Sequence, residues 1–180
     1  MYIIFRRIIP FFTRALLVCL FISFFTTIFD IYYSTKSPSI LNFKVTNIKV
    51  WLYDFEETED KSLREFAFVT MDIDADFTSL FTFNTQAIFV SVIVEYETPT
   101  HKRNQIILWS TTITKISTSR IKSYQTLNKY SLYDITQSFN GVNGTYILEW
   151  NVIPKVGMIK YGRADSDDAK FIYAFPRINT

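Results

Sequence analysis

Residues 15–29 (ALLVCLFISFFTTIF) form one unbroken apolar run, preceded by Arg6, Arg7 and Arg14 and by no acidic residue before Asp30. A run of this kind leaves water, and its destination decides where the rest of the chain lives. Positive charge on the N-terminal flank holds that end in the cytosol, so the chain that follows is expected to face the lumen or the outside.

Two readings compete for this segment. A cleaved signal peptide has a basic start, an apolar stretch of about 7 to 15 residues and small residues at the cut. The first two features are present, but the run leads into Thr-Ile-Phe-Asp-Ile-Tyr-Tyr, with large side chains where a peptidase needs small ones. This favours retention as a membrane anchor. Crossing a hydrocarbon core of roughly 30 Å takes about 20 apolar residues. Residues 8–12 add to the span if Arg14 snorkels its guanidinium to the headgroups, and Tyr32 and Tyr33 suit the opposite interface. The expected organisation is a short cytosolic N-terminus at 1–14, an anchor at 15–33 that can begin near residue 8, a spacer at 34–42 and one lumenal domain at 43–180.

What remains after the anchor is long enough to bury a real core. The formal net charge is only +2. With no dense Lys/Arg cluster, that argues against nucleic acid as a partner. Cys19 is the only cysteine and lies in the apolar run, which excludes an intrachain disulfide and a cysteine metal site. The domain must be held by apolar packing, and eighteen Phe and eleven Tyr supply the material.

Beyond the anchor the periodicity is that of strands. Ala67, Val69, Met71, Ile73, Ala75 and Phe77 alternate with Phe68, Thr70, Asp72, Asp74 and Asp76, the pattern of a half-buried strand with one wet face. Residues 87–96 put Ile88, Val90, Val92, Val94 and Tyr96 on one side and Phe89 and Ile93 on the other, so both faces can be covered. Residues 106–116 and 146–152 alternate similarly, and 43–53, 121–127 and 171–175 are weaker candidates. About seven short strands with hardly a helical stripe predict a mainly β chain, a single N-terminal transmembrane helix followed by an antiparallel β-sandwich. The links are an acidic connection at 54–61, a hairpin loop at 99–103, a turn at 139–144 (FNGVNG) and one helical turn within 78–85.

Catalytic constellations are scarce. His101, the only histidine, stands beside Lys102 and Arg103 in the predicted loop and reads as solvated rather than as a base beside a nucleophile. The lysines fall at loops and strand ends, and no Gly-x-Ser-x-Gly turn marks a serine. Asp72-Ile-Asp-Ala-Asp fails as a calcium loop, because Phe77 and Phe83 occupy the positions that need glycine and glutamate. Asp72-Ile-Asp also fits the short acidic motif of membrane-anchored, metal-dependent glycosyltransferases. The strand–helix alternation of a nucleotide-binding domain is missing, however, and one wet strand face explains the carboxylates equally. Asn143-Gly-Thr is an N-glycosylation acceptor in a predicted turn, on the side that the arginines assign to the lumen.

The run from Phe68 through Asp72-Ile-Asp-Ala-Asp to Gln86, then Phe89 with Val94-Glu-Tyr, then Asn104-Gln-Ile-Ile-Leu-Trp and finally Leu148-Glu-Trp-Asn-Val-Ile-Pro-Lys-Val-Gly resembles the signal peptidase complex subunit 3 family. The resemblance is ordered and covers nearly the whole chain, with weak stretches at 117–138 and after residue 160. It implies a type II protein of the endoplasmic reticulum membrane, with a lumenal β-sandwich and no catalytic dyad of its own. Such a subunit supports a separate serine-protease subunit that removes signal peptides from nascent secretory chains. Its implied partners are that catalytic subunit, other accessory subunits and the bilayer, with no cofactor, metal, nucleic acid or small-molecule substrate. A glycan acceptor ahead of the Trp-Asn-Val strand, matched here by Asn143, belongs to the same resemblance. The acidic loop and the tail depart from the family and carry no family role. Phe68 and Phe89, opposite the core faces, either meet a partner or pack under a neighbouring sheet or loop, while Trp109, Trp150 and Pro154 read as core and turn residues. A membrane-anchored binding module for glycans or client proteins is the alternative, ahead of the glycosyltransferase.

Overall fold

The computed structural model describes residues 2–33, 36–54, 63–134, 138–139, 141–164 and 170–177. The acidic connection therefore lies outside the described residues beyond Asp54.

Helix α1 runs from Tyr2 to Tyr33 without interruption at Pro10. Its apolar window, Ile8–Phe29, holds 22 residues with a mean hydropathy of 2.2. At 1.5 Å per residue that window is about 33 Å long, enough to cross a hydrocarbon core. Its three threonine hydroxyls are satisfied within the helix, Thr13 donating to the Ile9 carbonyl and both Thr26 and Thr27 to that of Ser23. Apolar surroundings offer those groups no other partner. The helix continues through Arg14, so Ile8 and Ile9 lie on the same rod as the run at 15–29.

Among the described residues nine strands follow: β1 (Ser39–Asp54), β2 (Leu63–Asp76), β3 (Thr85–Tyr96), β4 (Asn104–Ile113), β5 (Arg120–Leu127), β6 (Leu132–Tyr133), β7 (Asn143–Pro154), β8 (Lys160–Arg163) and β9 (Lys170–Ala174). β1 begins inside the stretch expected as spacer. Asn143, expected in a turn, is the first residue of β7, with the turn ending just before it. Thr78–Leu80 and Ile116–Thr118 each form one 3-10 turn.

The strands make two antiparallel sheets. One has the order β1-β2-β5, with β6 also pairing β2, and the other has the order β4-β3-β7-β8, with β9 also pairing β7. Alternation on the central strands puts one face of each sheet inside. Val50, Ile48, Val45 and Phe43 of β1 sit opposite Ala67, Val69, Met71 and Ile73 of β2. Across the sandwich, Val90, Val92 and Val94 of β3 sit opposite Trp150, Leu148 and Tyr146 of β7. Apart from Val50 and Trp150, these residues form one continuous core, with Val50, Trp109 and Trp150 packed against it. Phe77 closes one end of the core by meeting the Trp150 ring edge-on. Phe139, Phe175, Tyr96 and Tyr146 form an aromatic cluster at the other end.

Candidate functional site

The acidic ladder of β2 is spoken for by protein groups. Asp72 accepts the Gln125 backbone N–H at 2.7 Å and faces Lys44 Nζ at 3.5 Å. Asp74 faces the Arg120 guanidinium, with Nη2 at 3.3 Å from Oδ1. Asp76 accepts the Thr78 backbone N–H at 2.8 Å, and bonds from the Thr78 hydroxyl and that N–H hold its carboxyl below the ordinary value. The wet face expected on this strand is therefore wrong at its centre, where Asp72 and Asp74 are buried. Long cationic side chains reach over them from the flanking strands. A bulge in β5 puts Gln125 at φ 50°, in the left-handed region, opposite this part of β2. Among the described residues no group of three or more His, Cys, Asp or Glu side chains converges as for a metal.

His101 lies in a tight exposed loop between β3 and β4. Its backbone bonds to Thr98 on both sides, and Nδ1 lies 3.0 Å from the Thr100 hydroxyl, which is no acylation centre. Beside that loop is an open groove of about 490 Å3, lined by Glu95, Glu97, Lys102, Arg103 and Asn143 among others. Asn143 is exposed on its rim. Gly144, the middle residue of the acceptor triplet, faces inward, where an added Cβ would lie 2.9 Å from Val94 Cγ2.

The outer faces of the two sheets differ. On the five-stranded sheet, Arg163 reaches across β7 to Glu95 at 2.7 Å and also meets Glu149 at 3.6 Å. Burial pushes the Glu149 carboxyl up, Arg163 opposing the rise and Glu95 adding to it. Ile93 and Ile147 are buried on this face, and Phe89 is half-buried, so Phe89 does not offer the exposed aromatic surface considered for it.

On the four-stranded sheet, the outer face is aromatic and open. Trp51 is 62% exposed and Phe68 42%, with Tyr133 and Leu127 also exposed. Trp51 pairs across β1 and β2 with Phe66, whose ring lies 5.5 Å from that of Tyr133. Sequence periodicity had found Phe68 only. Trp51 was missed although it had a signal, standing one place beyond the core-facing residue Val50, whereas Tyr133, on the two-residue β6, had none.

A family model described as signal peptidase subunit matches residues 1–176. The chain belongs to the signal peptidase subunit family. Relatives named "Signal peptidase complex subunit 3" include that of Yarrowia lipolytica, 36% identical over 124 residues, or 67% of this chain and 64% of that protein. The Drosophila melanogaster relative is 28% identical over 171 residues, 92% of this chain and 88% of that protein. The Homo sapiens relative is 29% identical over 107 residues, 59% of this chain and 58% of that protein. The matched stretches thus span less than two thirds of the Yarrowia and human relatives and most of the Drosophila one. The structure gives this family member a mainly β fold after one N-terminal helix long and apolar enough to cross a membrane.

Proposed function

We propose that this chain is a non-catalytic accessory subunit of a signal peptidase complex in the endoplasmic reticulum membrane. α1 stays attached as a signal-anchor, Arg6, Arg7 and Arg14 hold its start in the cytosol, and the sandwich stands in the lumen with a glycan on Asn143. The substrates are those of the complex, nascent chains whose signal peptides a separate serine-protease subunit removes. This chain's contribution is to hold that subunit in place, because small displacements of reacting groups are costly.

The observation that carries the reading is the open aromatic face of Trp51, Phe68 and Tyr133 on the sandwich. Aromatic side chains on an otherwise polar surface anchor protein partners. The alternative, a binding module for glycans or client proteins, draws on the charged groove beside Asn143. Purification of the tagged full chain in mild detergent separates the two. A signal-peptide-cleaving serine protease in the eluate is the expected result, and a Trp51→Ala/Phe68→Ser variant of unchanged thermal stability is expected to lose it. An eluate without that protease from the unaltered chain rejects the proposal.

A further inference from the structure

The domain tip beside α1 carries its exposed apolar residues on irregular loops rather than on strands. Two loops meet there, one between the Thr78–Leu80 turn and β3, the other between β7 and β8. They present Phe83 (62% exposed), Met158 (75% exposed), Val156 and Ile159 to the outside. Single exposed apolar residues are ordinary, but four on two adjoining loops are a patch.

The helix fixes the depth of this patch. Phe83 packs against Phe29, with ring centroids 6.1 Å apart, and a Cβ on Gly157 would lie 3.4 Å from the Thr27 hydroxyl. Phe29 is the last residue of the apolar window Ile8–Phe29. If that window fills the hydrocarbon core, Thr27 lies about 3 Å inside its edge. Loop residues in contact with Thr27 and Phe29 then sit at the same level. A tip at that height meets lipid, not bulk water.

The loops are also built to tolerate loss of water. Irregular backbone that loses its water at the edge of the hydrocarbon region needs its N–H and C=O groups satisfied internally. Asn84, buried between the loops, does this with one side chain. Its amide donates to the Val156 carbonyl at 2.8 Å, and its Oδ1 accepts the Val156 N–H at 3.1 Å. The Lys155 N–H donates to the Asn84 carbonyl at 2.7 Å, and Lys155 Nζ donates to that of Phe83 at 3.1 Å. Thr85 Oγ1 accepts the Thr82 N–H at 2.9 Å and donates to the Leu80 carbonyl at 3.0 Å. The backbone is thus tied inward while the apolar side chains point away.

We infer that this tip is a membrane-seating surface: Phe83, Val156, Met158 and Ile159 enter the interfacial layer of the bilayer, next to the point where α1 leaves it. The sandwich then rests on lipid at a second point besides its anchor, which restrains its tilt. The inference rests on α1 spanning the bilayer, as proposed above.

The native Cys19, at the middle of α1, makes the two claims separable. In the full chain reconstituted in phosphatidylcholine vesicles, a bimane fluorophore is placed in turn on Cys19, on Met158→Cys and on Lys102→Cys, the last two in a Cys19→Ser background. Quenching is read with nitroxides carried at the shallow or deep end of the acyl chain and with aqueous iodide. The expected result is loss of position 158 fluorescence to the shallow nitroxide, of Cys19 fluorescence to the deep one and of position 102 fluorescence to iodide. A position 158 label that iodide quenches as it does position 102 overturns the inference. So does one that no quencher reaches, which would mean that protein covers the tip. If the Cys19 label escapes the deep nitroxide, the spanning helix itself is what fails.

Discussion

Tyr96 and Tyr146 stand in the same aromatic cluster with their hydroxyls in opposite circumstances. Tyr96 donates to Asp134 Oδ1 at 2.7 Å, whereas the buried Tyr146 hydroxyl meets no partner among the described residues. Tyr96→Phe leaves Asp134 one donor short in a buried site and is expected to cost about 1–3 kcal/mol in thermal or urea unfolding. Tyr146→Phe removes a polar group that is already unsatisfied, and the same measurement should show no loss or a gain of up to about 2 kcal/mol. Both hydroxyls have raised pKa values, Tyr96 first through burial and then through the Asp134 bond and charge, Tyr146 through burial. The unfolded chain gives up these protons near pH 10 while the folded chain keeps them. Their stabilisation is therefore complete below about pH 10 and is lost as pH rises toward the folded values. Each Phe variant should flatten the alkaline fall in melting temperature by one proton's worth. Gly162 is a case of space, since a Cβ there would lie 2.2 Å from Trp150 Nε1. Gly162→Ala must push the indole off the core, at about 1–3 kcal/mol and with a shifted tryptophan emission.

At the scale of elements, the charged centre of β2 is held from both neighbours, and the partners are unequal. Lys44 is half exposed and can return to water when Asp72 is lost, but the Gln125 N–H cannot. Asp72→Ala is thus expected to cost about 1–3 kcal/mol and Lys44→Ala less, which a comparison of denaturant midpoints checks. Because each carboxylate is already paired, manganese or calcium should leave the melting temperature unchanged. A rise on adding either would revive the metal-binding reading. The same elements show what a sequence exposes and what it hides. Alternation on β2, β3 and β7 reads true because these interior strands pack one face on the core throughout. In β1, bulges at Ile40/Asn42 and Val45/Asn47 shift the phase of the pattern, which blurred its start. β6 and β8 are too short to show a period, and β8 contains Gly162. The burial of Asp72 was invisible for another reason: its partners Lys44 and Gln125 are distant in sequence, and only the pairing of β1, β2 and β5 brings them together.

For the whole molecule, neither helix nor sandwich fixes which way the chain crosses a bilayer. α1 can cross a bilayer either way round, and the sandwich is equally folded on either side, so neither its core nor its hydrogen bonds choose an orientation. In the proposed topology the choice falls to charge near the end of the span, where Arg6, Arg7 and Arg14 precede the first acidic residue at Asp30. Asn143 is a built-in reporter of that choice, being exposed at the edge of the groove, at the opposite end of β7 from the loop that meets α1. In translation with microsomes, the chain is expected to acquire one endoglycosidase-sensitive increment in mass and to resist added protease. Asn143→Gln should abolish the increment but keep the protection. Reversing the three arginines to glutamate should place the sandwich on the outside in a fraction of molecules, and those molecules should lack the glycan and be open to protease. If the glycan and protection survive the reversal undiminished, charge does not set the orientation of this chain.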